Sequence, residues 1–136
     1  MPYFLTVHRG HTIFTVMMTH FYVRQRWGHE RIEMDDIRYL EASKKYCKIW
    51  LAGRHFFVKT SLKQMETQLP ASAFIRVHRA YIISLRYLKS FNYSKAWVDG
   101  KELPIGERGY SALRQLVTIL KQEKYVHEGT VCSPER

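Results

Sequence analysis

The sequence has little cysteine, no long apolar run, and almost no acid where its bases are densest. Two cysteines in 136 residues, Cys47 and Cys132, are too few and too far apart to frame a disulfide scaffold. Cys47 lies inside an apolar strand pattern and reads as a small core residue. No segment approaches the roughly 20 apolar residues that a membrane-spanning helix requires. Arg9, Gly10, His11 and Thr15 interrupt the apolar pieces near the N-terminus, whereas a secretory signal needs an unbroken apolar centre. A reduced, cytoplasmic setting is the expectation.

The shortage of acid is the sharper observation. Between Lys44 and Lys101 stand twelve basic residues and two acidic ones, Glu66 and Asp99, so this middle segment holds the whole net charge of +10. Phosphodiester enzymes cluster carboxylates around metal ions to activate water. A segment with one acid in a helical pattern and another in a tight turn does not supply such a cluster. Gly-x-Ser-x-Gly, His-Glu-x-x-His and Gly-Lys-Ser phosphate-loop signatures are missing as well. His8 and His11 share a helical spacing but have no third ligand near them in sequence. Neither an enzyme nor a metal or other cofactor is expected.

What is present suits a packed, basic domain. An apolar fraction of 46% and an aromatic fraction of 14% are ample for one core. The pI near 9.8 points to a polyanionic partner, either nucleic acid or an anionic membrane surface. A membrane binder needs a basic amphipathic helix. The C-terminal candidate sets Arg114, Lys121 and Lys124 against Glu123, so it is only mildly basic and no membrane partner is expected.

The patterning predicts a mainly β chain. Phe21–Arg26 and Glu30–Ile32 read as a hairpin around Trp27-Gly28-His29, and a second strand begins at Asp35-Asp36-Ile37 and runs through Ala42. Ser43-Lys44-Lys45 is a polar loop, and Tyr46–Leu51 pairs with His55–Thr60 across a Gly53 turn. Ser61-Leu62-Lys63-Gln64 has the form of a capping box, with Leu62, Met65 and Leu69 at helical spacing and Pro70 as the stop. Phe74 and Val77 anchor the return to the core. Strands follow at Tyr81–Ser84 and Leu88–Phe91, then a hairpin turning on Asp99-Gly100-Lys101. Leu113, Leu116, Val117 and Leu120 form the stripe of a closing helix. Trp27, Trp50 and Trp97 read as core or hairpin packing.

Three regions are expected. Residues 1–19 form an N-terminal extension, either an extra strand or arm or a stretch ahead of a native start at Met17 or Met18. Residues 20–124 form the domain, and 125–136 a frayed tail.

Three groups carry candidate chemistry. The first is Phe74-Ile75-Arg76-Val77-His78-Arg79-Ala80-Tyr81, in which apolar residues fix a backbone beside arginines that can hold phosphate or pair with guanine O6 and N7. The second is the basic loop Ser43-Lys44-Lys45-Tyr46. The third is Pro104-Ile105-Gly106-Glu107-Arg108-Gly109-Tyr110, with one Arg between glycines just before a helix.

Taken in order, Ile37–Ala42, Tyr46, Ser61–Glu66, Phe74–Ile83 and Leu103-Pro104-Ile105-Gly106 resemble the LytTR family of bacterial DNA-binding domains. The resemblance runs from about Phe21 to Leu120, and its Pro-Ile-Gly piece is similar to Bacteroidetes-type members. It implies an elongated LytTR-like β fold of several short antiparallel sheets, a short mid-chain helix and a C-terminal helix. Loops would enter successive major grooves of duplex DNA. Base contacts would fall to Lys45 or Tyr46, to Arg79 and to Arg108. Lys44, Lys48, Lys59 and Lys89 would contact the backbone, while Arg76 and His78 would anchor the backbone or support the motif. Where relatives often have Asn or Lys after the motif His, Arg79 shifts the expected preference toward guanine.

The resemblance also implies promoter DNA with repeated half-sites, two copies meeting on it, and a separate sensor or signalling protein, because no receiver segment is visible. A single-stranded RNA-binding domain is the alternative. It predicts aromatic side chains exposed on a sheet face, whereas the LytTR reading places more weight on loop arginines.

Overall fold

The computed structural model describes residues 4–9, 12–17 and 19–122. Two N-terminal strands, β1 (Phe4–Arg9) and β2 (Thr12–Met17), pair with each other and, among the described residues, with no other strand. The tail expected after Tyr125 lies outside the described residues.

Chain alternation then builds three more antiparallel sheets. Strands β3 (His20–Gln25) and β4 (Gly28–Glu33) form a hairpin with a two-residue turn. Trp27, at its tip, is 73% exposed rather than packed, because the turn projects it beyond any facing surface. Residues Met34–Asp36 make a single 3-10 turn where a strand start was expected, and β5 begins only at Tyr39.

The central sheet has five strands in the order β7-β6-β5-β9-β8. These are β5 (Tyr39–Ser43), β6 (Tyr46–Leu51), β7 (Arg54–Val58), β8 (Phe74–His78) and β9 (Tyr81–Ser84). Helix α1 (Leu62–Gln68) carries the chain from the β7 edge to the β8 edge. Ser61 Oγ accepts the Gln64 N–H at 3.1 Å, one half of the capping box. The reciprocal half is replaced, since Gln64 Oε1 accepts from the Thr60 hydroxyl at 3.0 Å.

The period-2 alternation gives this sheet two buried faces. Leu40, Cys47, Ile49, Phe56 and Ile82 meet Leu62, Met65 and Leu69 of the α1 segment and Val23 and Ile32 of the first hairpin. Tyr39 and Ile83, with Val77 of β8, meet the second cluster, which holds Ala96, Val98, Leu103, Ile105 and Leu113. The latter come from a three-stranded sheet, β10 (Leu88–Phe91), β11 (Lys95–Val98) and β12 (Lys101–Pro104), and from α2 (Glu107–Leu116). Asp99 and Gly100 have φ of 50° and 81°, the paired left-handed conformation of a tight hairpin. Helix α2 ends at Leu116 and not near Leu120, which is 88% exposed. The run Val117-Thr118-Ile119 is β-branched and disfavours another helical turn.

Candidate nucleic-acid interface

Strand register sets which residues share an end of the central sheet. Glu41 pairs with Tyr81, so the Lys44-Lys45 turn after β5 and the Arg79-Ala80 turn before β9 lie at the same end. The Ala42 N–H donates to Ala80 O at 2.9 Å and joins the two turns. Cys47 pairs with Val58, which brings Lys59 to that end as well. Lys44 takes a left-handed φ of 56°, the conformation that allows the two-residue reversal.

The Arg79 turn is held by its neighbours on nearly every backbone group. Arg76 Nε donates to His78 O at 3.1 Å, and Arg76 Nη2 donates to Arg79 O at 2.7 Å. Arg76 Nη1 reaches Glu66 Oε1 of α1 at 3.0 Å. His78 Nδ1 accepts the Ala80 N–H at 3.1 Å, so the ring carries its proton on Nε2 in this network. Arg76 and His78 therefore brace the backbone of this turn. The Arg79 side chain is exposed and makes no hydrogen bond or ion pair among the described residues.

Helix α2 docks on the same strand. Val77 is the extra residue of a bulge in β8 opposite β9, and Val77 O accepts the Gly106 N–H at 2.8 Å. A Cβ at Gly109 would fall 2.3 Å from Val77 O and 2.6 Å from Val77 Cα, so only glycine lets the helix approach this closely. Arg108, exposed in the first turn of α2, thereby borders a cleft of about 630 Å³ shared with Arg76, His78 and Arg79. The fold brings Arg79 and Arg108 to one cleft and the Lys44–Tyr46 turn beside it.

Two predicted contacts sit elsewhere. Lys48 is half-buried on β6, its Nζ 5.3 Å from the Trp50 ring centre and 5.4 Å from that of Phe57. Lys89 is the bulge residue of β10, in the half of its strand next to the Asp99-Gly100 turn, and belongs to the other sheet. Glu66 and Gly109 were not among the candidates read from sequence. Glu66 had a signal, being one of two acids in the basic segment; Gly109 could be placed only once α2 was seen against β8. Among the described residues, no three His, Cys, Asp or Glu side chains are grouped to hold a metal ion, and no helix is long and apolar enough to cross a membrane.

The arrangement is three basic projections at one end of a braced sheet. Residues 28–118, which hold all three, match the LytTr DNA-binding domain model. The chain belongs to the LytTR family. This LytTR domain is 31% identical over 97 residues to the CO-responsive transcriptional regulator RcoM of Rhodospirillum rubrum, covering 66% of this chain and 41% of RcoM. It is 28% identical over 94 residues to the sensory transduction protein LytT of Bacillus subtilis, covering 65% of this chain and 39% of LytT. The chain thus matches about two-fifths of the length of each of these regulators. A solved LytTr DNA-binding domain from Bacillus cereus superposes with a TM-score of 0.61 at 24% identity, over 72% of this chain and 95% of that one. The likeness is one of fold, a mainly β architecture of several antiparallel sheets with two helices. LytTR domains are DNA-binding domains of transcription regulators, and DNA is the partner this membership gives.

Proposed function

We propose that the domain binds duplex DNA sequence-specifically, with Arg79, Arg108 and the Lys44-Lys45-Tyr46 turn entering major grooves and reading base edges. The observation that carries this is the bracing of the Arg79 turn by Arg76, His78 and Ala42, which leaves a guanidinium without a partner among the described residues on a fixed backbone. A bidentate arginine–guanine contact discriminates bases by about 1–3 kcal/mol only when its backbone is held in place. Lys44 and Lys59 flank the same end and supply phosphate contacts, which add affinity without sequence information. The setting is promoter DNA with repeated half-sites, two copies of the domain on one segment and a separate signalling protein upstream, in the cytoplasm.

Guanine N7 methylation tests the groove assignment. On duplexes enriched by binding, methylation at the guanines read by Arg79 and Arg108 blocks the complex. Arg79→Ala removes the interference at one position and Arg108→Ala at another. Complexes indifferent to N7 methylation, yet lost on adding a minor-groove ligand, contradict it.

A further inference from the structure

The central sheet face that carries Tyr39 and Trp50 is covered over β8 and β9 by the second cluster, but is open over β6 and β7. On the open part Tyr46 is 44% exposed and Phe57 54% exposed, with His55 exposed between Phe57 and Trp50. The rings are continuous: Tyr46 to Phe57 at 6.1 Å, Phe57 to His55 at 5.2 Å, and His55 to Trp50 at 4.4 Å between centres. Glu41 is the acid on this face, and its carboxylate is already engaged, accepting the Trp50 Nε1–H at 3.0 Å. Lys48, the cross-strand neighbour of Glu41, stands over the rings, and Lys45 and Lys59 adjoin them; among the described residues none of the three makes an ion pair.

Single exposed aromatics are ordinary, but a run of rings bordered by unpaired cations calls for a ligand with both π faces and negative charge. Duplex DNA offers the charge but keeps its bases stacked on one another. A single strand offers both, and sequence-tolerant binding of this kind rests on base–aromatic stacking beside a basic track. We propose that this face binds single-stranded nucleic acid, its bases stacking on Phe57, His55 and Tyr46 while Lys48, Lys45 and Lys59 hold phosphates. The surface lies outside the Arg79–Arg108 cleft but shares Tyr46, Lys45 and Lys59 with the proposed duplex contacts, so duplex and single strand compete for it. Phe57, His55 and Lys48 belong to it alone, and the proposal stands on ring geometry and charge. Nothing on the face singles out a 2′-hydroxyl, so DNA and RNA strands bind alike.

The test uses the full 136-residue chain with fluorescein-labelled oligo-dT and oligo-U of roughly twelve nucleotides, within the range such surfaces hold. The wild-type chain binds both, and Phe57→Ala weakens both by roughly five- to a hundredfold while duplex affinity is unchanged. Phe57→Trp restores binding and shows that the ring, not the fold, was lost. Three results overturn the proposal. One is oligomer affinity unchanged in Phe57→Ala. Another is displacement of the oligomer by inorganic polyphosphate at the same concentration from both proteins, which marks charge alone. The third is a wild-type dimer that Phe57→Ala dissociates, which makes the face a protein interface. Loss of duplex binding with oligomer binding retained would count against the duplex reading and leave this one standing.

Discussion

Arg76 Nη1 and Glu66 Oε1 lie 3.0 Å apart, and this contact ties α1 to the turn that carries Arg79. The pair itself is partly solvent-exposed, so its Coulomb attraction is worth at most about 1 kcal/mol. The larger role belongs to the guanidinium fork, which also donates to the carbonyls of His78 and Arg79. Arg76→Ala is expected to destabilise the fold by about 1–3 kcal/mol and to blur base preference at the Arg79 position. Lysine has no planar fork to serve both carbonyls, so Arg76→Lys does not restore the preference. Glu66→Gln keeps most of it. Thermal melts and binding-site profiles of the three variants check this; sharp preference in Arg76→Ala would remove the bracing role.

Gly109 is the contact through which α2 seats on β8. Gly109→Ala forces its Cβ against the Val77 backbone, so the helix must move and carry Arg108 with it. The expected outcome is a fall in melting temperature, with specific duplex affinity reduced more than non-specific affinity. An unchanged melting curve would mean that the approach is looser than described.

The lysines separate by position. Lys59 lies at the same end of the central sheet as the Arg79 turn, and Lys59→Ala should lower the slope of log affinity against log salt by about 0.9, one phosphate contact. Lys89, by the Asp99-Gly100 turn of the other sheet, should change it less. Titrations between low and moderate salt measure both. Equal losses would put the second sheet on the DNA as well.

Alkaline stability follows from two buried groups. Burial pushes the Cys47 thiol up to about 11, from an ordinary 9.0. Burial, with the Glu41 carboxylate alongside, pushes the Tyr39 hydroxyl up to about 12, from an ordinary 10.0. Both folded-state values exceed the unfolded ones, so the unfolded chain loses its protons first. Their contribution is intact below about pH 9 and is lost as pH rises through about 11 to 12. Cys47→Ala and Tyr39→Phe should each shift the alkaline unfolding limb upward. A limb that does not move in either variant contradicts the assignment.

Much of this was legible in sequence because the decisive signals are local. Asp99-Gly100 gave its hairpin, Ser61 its cap, and the stripe of Leu62, Met65 and Leu69 its buried face. That Lys44, Lys45 and Arg79 share one end of the central sheet was not legible, because it depends on the β5–β9 pairing of strands forty residues apart. The hydrogen bonds of Arg76 and His78 to the Arg79 turn were not legible either, since they join residues two or three apart through the local bulge of β8. The apolar spacing of α2 continues to Leu120, but the β-branched residues after Leu116 end the helix there. Trp27 and Phe57 have core composition and are exposed, because alternation alone does not tell which face finds a cover.

The most direct test is selection of binding sites from a random duplex library, with wild-type, Arg79→Ala and Arg108→Ala proteins in parallel. The account predicts a repeated motif for the wild-type chain, with one base position blurred in Arg79→Ala and a different one in Arg108→Ala. Recovery of no motif, or of the same motif undiminished in both variants, would contradict it.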